Sequence, residues 1–257
     1  MEAAFENILA LVLGAALGSF LHCAAWRIAR RESFLTGRSH CPLCGRSLGP
    51  AELVPVLSWL ALRGRCRRCG ARIPPRYVLS ELAFALITLL ALRRSGPLAL
   101  CLRNLVFLGC LFCLSLVDMD IGEIPDGCLI IAALAWAAVV PFTISWKMAA
   151  LRAGAGLFYG ALLLVLSLFM DAWLKKESLG GGDIKLFAVV GLYLGWAGTL
   201  YALLLSCLLG LGMALAQRRG PGQPFPFSPA ISLAAAWMLL YGQGLIDWYL
   251  SLVKAGM

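Results

Sequence analysis

Histidine is nearly missing from this chain: His22 and His40 are the only two among 257 residues. Neither stands in a triad-like setting, and there is no Gly-x-Ser-x-Gly elbow and no His-Glu-x-x-His, which argues against serine-hydrolase and zinc-protease chemistry. Charge is also scarce, at 14% of residues against 61% hydrophobic, with a mean hydropathy of +0.86. That balance excludes a soluble globular chain. Low-complexity segments, repeats of about 20–50 residues and a Gly-x-Gly-x-x-Gly cofactor fingerprint are absent as well.

What is present is a succession of apolar runs near the ~20 residues that a helix needs to cross a bilayer. Ala161 to Met170 and Tyr201 to Leu211 are almost continuously apolar, which excludes the alternating pattern of a β-barrel. The expected fold class is therefore an all-α polytopic membrane protein with about eight transmembrane helices. The runs fall at 5–26, 77–94, 98–117, 127–144, 150–174, 184–197, 198–216 and 229–250. Only Gly195, Trp196, Ala197 and Gly198 separate the sixth from the seventh.

The net charge of +9 is unevenly placed, with 11 of the 22 basic residues lying from Arg27 to Arg76. Positive-inside topology accounts for that asymmetry without nucleic acid and makes 27–76 a cytoplasmic loop. Alternation puts the 118–126, 175–185 and 217–228 loops on the same side. Lys175, Lys176, Lys185, Arg218 and Arg219 agree, against Arg93, Arg94, Lys147, Arg152 and Lys254 on the other. Glu2 and Glu6 precede the first run and Arg27, Arg30 and Arg31 follow it, the reverse of a secretory signal, so it reads as a retained helix with its N-terminus outside. Pro221, Pro224, Pro226 and Pro229 make 220–229 a stiff, non-helical loop. Three domains result: a first transmembrane helix (1–26), the basic loop (27–76) and a membrane-embedded domain (77–257).

The basic loop carries Cys41-Pro-Leu-Cys44-Gly and Cys66-Arg-Arg-Cys69-Gly, two Cys-x-x-Cys pairs with 21 residues between them. This is the spacing of a structural zinc site, each pair clamping the metal from a tight turn. A closed four-thiolate site leaves no position for water, so its expected role is to organise the loop. Cys110-Leu-Phe-Cys113 has the same spacing but lies in an apolar run without a second pair, and reads as helix packing, as do Cys23, Cys101, Cys128 and Cys207.

Two aspartates sit where charge is costly. Asp118 continues a long apolar run and Asp183 heads another, in Leu-Gly-Gly-Gly-Asp-Ile-Lys. Ionisable groups at such positions mark functional sites by default. Both fall at one membrane face, where they can meet as an acid–base pair: one carboxylate activates water, and the protonated partner stabilises the oxyanion forming on an amide. Their placement makes Asp183 the expected initial base and Asp118 the carrier of the shared proton. Asp183 is also a helix cap by position. Asp126 reads as the cap of the helix starting near Gly127, and Asp120 and Glu123 as solvated loop residues.

Nearly the whole chain resembles the type IV prepilin peptidases, membrane aspartyl proteases of the Gly-x-Gly-Asp class. The resemblance rests on Gly18-Ser19-Phe20-Leu21, the cysteine pairs, Pro55-Val56-Leu57-Ser58-Trp59, Arg63-Gly64-Arg65-Cys66 and Pro75-Arg76-Tyr77 with Glu81. It continues through Asp118 with Ile-Pro-Asp126, Gly180-Gly181-Gly182-Asp183-Ile-Lys185, Leu194-Gly195-Trp196 and Pro226-Phe227-Ser228-Pro229. It implies catalysis by Asp118 and Asp183, with Gly180, Gly182, Lys185 and Asp126 in support, in a multi-pass protein of the bacterial inner membrane whose site faces the cytoplasm. The implied substrate is a prepilin or pseudopilin, cut after a glycine between a short basic leader and an apolar helix lying in the bilayer. Many members also methylate the new N-terminus with S-adenosylmethionine, for which no binding residues can be named from the sequence. Three departures stand out: His22 where the family has asparagine, Glu52-Leu53-Val54 in place of an Asp-Asn pair, and Ser228 in place of glycine. They bear on methyl transfer or substrate preference more than on proteolysis.

Two other classes compete. A transporter also uses intramembrane carboxylates, but these sit at the ends of runs on one side, and no inverted repeat accompanies them. A scaffold docking through the cysteine loop would leave Asp118 and Asp183 without a role.

Overall fold

The structure, a computed structural model, describes residues 2–34, 37–175, 179–216 and 225–255. Lys176, Arg218, Arg219, Pro221 and Pro224, assigned above to cytoplasmic and stiff loops, lie outside the described residues. Among those described there are helices, turns and two isolated β-bridges, and no strand. The helices are α1 (Glu2–Ala29), α2 (Leu57–Ala61), α3 (Arg76–Arg94), α4 (Leu98–Ile121), α5 (Asp126–Thr143), α6 (Trp146–Leu174), α7 (Gly181–Ala216) and α8 (Ser228–Ala255). Five of the described helices, α1, α4, α5, α6 and α7, are long and apolar enough to cross a membrane, and α8 contributes a shorter apolar stretch, Ser228–Gly242. The chain divides into two compact units, Met1–Arg94 and Ser95–Met257.

In the first unit α1 and α3 pack antiparallel, His22 beside Ser80 and Asn7 beside Arg93. Gly14 and Gly18, one turn apart, allow the close approach. A Cβ on Gly14 would fall 2.7 Å from the Ala85 Cα, and one on Gly18 2.9 Å from the Phe84 Cβ. Small residues at this spacing are the usual device where apolar surface alone gives helices no reason to associate. The four-cysteine loop lies between these two helices.

In the second unit α4 packs on α5 and α8, and α7 on α5, α6 and α8. Tyr193 of α7 joins three of these helices: its ring stacks on Phe107 of α4, with centroids 3.8 Å apart, and its hydroxyl donates to the Ala132 carbonyl of α5 at 2.8 Å. At ~1.5 Å per residue α7 would extend ~54 Å, well beyond a ~30 Å hydrocarbon core. It does not run straight. Gly195 adopts φ 70°, ψ −167°, a conformation open essentially to glycine. Asp183 in the first limb lies within reach of the charge on Asp118, and Phe227, next to the Asp118-bound Ser228, packs on Gly210 in the second limb. Both ends of α7 therefore return to the same end of the unit, and Gly195 is a hairpin turn between the runs expected at 184–197 and 198–216. Carbonyls freed at the break find donors. Arg152 reaches the Tyr193 oxygen at 2.9 Å, Thr199 that of Gly195 at 2.6 Å and Tyr159 that of Trp196 at 3.0 Å. Such pairing is what allows a helix to break at membrane depth.

Candidate active site

Asp118 occupies the last turn of α4, which closes on Gly122 in the left-handed conformation. The residue is 7% exposed, and one carboxylate oxygen, Oδ2, accepts the backbone N–H of Ser228 at 3.0 Å, where α8 begins. Asp183 is the third residue of α7. Its Oδ1 is buried without a hydrogen-bond partner, and its carboxylate feels that of Asp118. Two carboxylates from helices 65 positions apart in sequence thus meet at one end of the second unit, at helix ends and away from mid-helix. A buried, unpartnered oxygen beside a second carboxylate is the arrangement that receives water or a peptide carbonyl.

The glycines before Asp183 have separate functions. A Cβ on Gly182 would lie 2.9 Å from that of Ile124, so glycine there lets the Ile124-Pro125-Asp126 turn close onto α7. A Cβ on Gly180 would sit 3.4 Å from Oδ2 of Asp183, an ordinary contact distance, and Gly181 faces open space. Asp126 begins α5 and also binds Lys185: Lys185 Nζ donates to both carboxylate oxygens at 2.9 and 3.0 Å. This pair is more than half exposed, so it contributes ~1 kcal/mol or less, yet it ties the start of α5 to the start of α7 beside Asp183.

Ser228, legible in the sequence only as a departure from a glycine, is the residue that sequence reasoning missed. Its contribution is a main-chain N–H, which either residue type can supply. Its hydroxyl is buried without a partner. Only the presence of a proline-rich loop on the Asp118 side could have pointed to it.

The four cysteines of the first unit come together, their sulfur atoms all within 4.8 Å of one another. A tetrahedral zinc with Zn–S near 2.3 Å requires sulfurs about 3.8 Å apart, and Cys41 and Cys69 stand at 3.9 Å. The two turns are built alike. Cys41 N–H donates to Arg46 and Cys66 N–H to Ala71, while Gly45 and Gly70 donate back to the carbonyls of Cys41 and Cys66, each at 2.8–2.9 Å. N–H groups of Cys69 and Arg68 aimed at the Cys66 sulfur draw its pKa down to about 6, toward the thiolate that a metal needs. The cluster can bind a metal ion.

Glu52 and His22, two of the departures, are structural in their surroundings. Glu52 accepts the Gly49 N–H at 2.8 Å and pairs with Arg46 in the first cysteine turn. The Gly49 N–H first, then Arg46, hold its carboxyl below the ordinary carboxylate range. A depressed folded value means that Glu52 stabilises the loop above the unfolded carboxylate pKa of ~4.3, and that this contribution disappears as pH falls through the folded value. Glu52→Gln is therefore expected to remove part of the acid sensitivity of the first unit, seen as a flatter melting-temperature profile between pH 3 and 6. An unchanged profile would contradict this. His22 is 2% exposed, with Nδ1 2.8 Å from the Ser80 hydroxyl and Nε2 accepting from Arg76 at 3.4 Å, a fully partnered core histidine.

Two families match the chain. One, described as the bacterial peptidase A24 N-terminal domain, covers residues 12–94, and the other, the type IV leader peptidase family, covers residues 105–215. A Bacillus subtilis protein named prepilin leader peptidase/N-methyltransferase is 35% identical over 94% of this chain and 96% of its own length. A Burkholderia pseudomallei protein of the same name is 33% identical over 94% and 86%. An Escherichia coli type 4 prepilin-like proteins leader peptide-processing enzyme is 34% identical over 88% and 90%. No solved structure matches.

Proposed function

Because the chain belongs to the type IV leader peptidase family, we propose that it cleaves the leader from a prepilin or pseudopilin and then methylates the exposed N-terminus. The observation that carries the peptidase reading is that buried Asp118, held by the Ser228 N–H, lies close enough to Asp183 for their charges to interact, while Oδ1 of Asp183 is buried without a hydrogen-bond partner. In this reading the two are the catalytic pair. They share one proton and act as a unit: water loses a proton to the pair as its oxygen attacks the scissile carbonyl, and the amine leaves with a proton returned from the pair. Gly182 lets the Ile124-Pro125-Asp126 turn close onto the start of α7, and the Asp126–Lys185 pair holds the two helix starts in register around Asp183.

In this reading the protein lies in the bacterial inner membrane with the pair at the cytoplasmic face, the side to which positive-inside topology assigns the basic loops. A substrate with an apolar helix in the bilayer and a basic leader inside would present its junction at that level. The cysteine cluster holds zinc as a closed structural site. S-adenosylmethionine, when bound, supplies an electrophilic methyl group for the second activity.

Purified protein in detergent, incubated with a prepilin peptide and S-adenosylmethionine, is expected to give a product lacking its leader and heavier by about 14 Da, read by mass spectrometry. An uncut peptide would refute the reading. The Ser228 contact gives a finer test. Ser228→Ala keeps the N–H and removes only an unpartnered hydroxyl, so cleavage should stay near wild type. Ser228→Pro removes the donor to a charged group, worth ~1.5–3 kcal/mol, and should slow cleavage about 10- to 100-fold. Equal effects of the two substitutions would show that the N–H is not what matters.

A further inference from the structure

The end of the second unit away from Asp118 holds a pair of arginines. Arg103 lies in the second turn of α4, ~22 Å from Asp118 at ~1.5 Å per residue, and is only 6% exposed. Arg152 is half-buried in the second turn of α6, near enough for the two charges to repel. Their bonds go to neutral groups. Arg103 donates from Nε and Nη2 to the Asn104 side-chain oxygen at 3.2 and 2.9 Å, with its guanidinium 5.3 Å from the Tyr193 ring centroid, and Arg152 donates from Nη1 to the Tyr193 carbonyl. No carboxylate pairs with either among the described residues. The buried side-chain atoms without a partner among those residues are Trp136 Nε1, Asp183 Oδ1 and Ser228 Oγ. The spare N–H groups of the arginines, Nη1 of Arg103 with Nε and Nη2 of Arg152, therefore open to the surface. Two cations drawn into a membrane-spanning unit without a counter-charge are costly, and such groups mark functional sites.

We propose that Arg103 and Arg152 bind the phosphate of an anionic phospholipid in the outer leaflet, between the starts of α4 and α6 and the Gly195 turn. Guanidinium groups suit this ligand because their parallel N–H groups match two phosphate oxygens. Depth selects a lipid as the source of the phosphate. Exposed Phe142, Trp146 and Trp196, at the end of α5, the start of α6 and the turn of α7, ring the same end, as aromatic belts do at headgroup level. In the topology read from the loops this end is the outer face, where Arg152 runs against the positive-inside rule and needs a reason of its own. Charge selects the headgroup. A second arginine beside the bound phosphate repels the ammonium of a zwitterionic lipid and tolerates the neutral glycerol of phosphatidylglycerol. The phosphate neutralises the pair and steadies the Gly195 turn through Tyr193, which both arginines contact.

The test is native mass spectrometry of the full-length protein in detergent, titrated with phosphatidylglycerol, phosphatidylethanolamine or inorganic phosphate. Phosphatidylglycerol should bind about tenfold or more tighter than phosphatidylethanolamine, and Arg103→Gln or Arg152→Gln should each remove most of that preference. Lys147→Gln, an equal change of charge at an exposed position of the same end, should alter binding less than about threefold. Equal losses in all three variants, or none, would overturn the site. Inorganic phosphate that binds as tightly as the lipid would overturn the lipid as its ligand. Where a variant does not fold, the wild type decides alone. A photoactivatable group on the phosphatidylglycerol headgroup should mark peptides within 95–107, 146–160 or 190–200. Marking confined to other segments would overturn the proposal. Neither readout depends on cleavage or methylation, so a failure of the function proposed above is distinguishable from a failure of this site.

Discussion

Asp183→Asn should abolish leader cleavage while leaving the protein folded. The substitution is nearly isosteric and breaks no hydrogen bond at Oδ1, which has none. It removes the capacity to take and return a proton. General acid–base participation is worth ~10²–10⁴ in rate, and a pair acting as one unit should lose at least the upper part of that range when either member is disabled. The loss should fall on kcat, with substrate affinity largely retained, because asparagine keeps the size and polarity of the side chain and only the proton transfer is lost. Asp118→Asn should behave alike: an amide oxygen can still accept the Ser228 N–H, so the α4–α8 contact survives and only the chemistry fails.

The second large effect is expected at the metal. Cys66→Ser removes one of four cysteines whose sulfurs lie within 4.8 Å of one another. Structural zinc contributes ~10–16 kcal/mol in small peptides, comparable with or above the ~5–15 kcal/mol that holds a domain folded. Loss of the zinc proposed above should therefore disorder the cysteine turns that it would hold together, and with them the proposed methyl transfer should be lost. Cleavage should be retained within about tenfold, since Asp118, Asp183 and Ser228 all belong to the second unit, with its own helix contacts. Metal content by elemental analysis, read beside both activities, decides this. Cleavage lost in parallel with methylation would contradict it.

The features legible in the sequence were those that carry a cost or a spacing. Asp118 was visible because a carboxylate at the end of an apolar run needs a reason, and the cysteine quartet because two tight pairs have one dominant use. Asp126 and Lys185 were each singled out, but their pairing could not be read, since an ion pair across 59 positions leaves no periodic trace. The contacts of Ser228 with Asp118 and of Val56 with Glu81 were invisible for a related reason. Both use a backbone N–H, which every residue except proline supplies, across 110 and 25 positions. Gly195 lay between them in legibility. Hydropathy shows only a brief interruption there, and it takes the left-handed glycine and the satisfied carbonyls around it to turn one long apolar stretch into a hairpin.

A double-mutant cycle tests most directly whether the two aspartates form one catalytic unit. Single-turnover cleavage rates would be measured for wild type, Asp118→Asn, Asp183→Asn and the double variant, each with its melting temperature as a check of folding. A shared-proton pair predicts that each single change costs nearly the whole rate enhancement and that the double variant is no slower than either. Effects that multiply, or cleavage that survives either substitution in a folded protein, would contradict it.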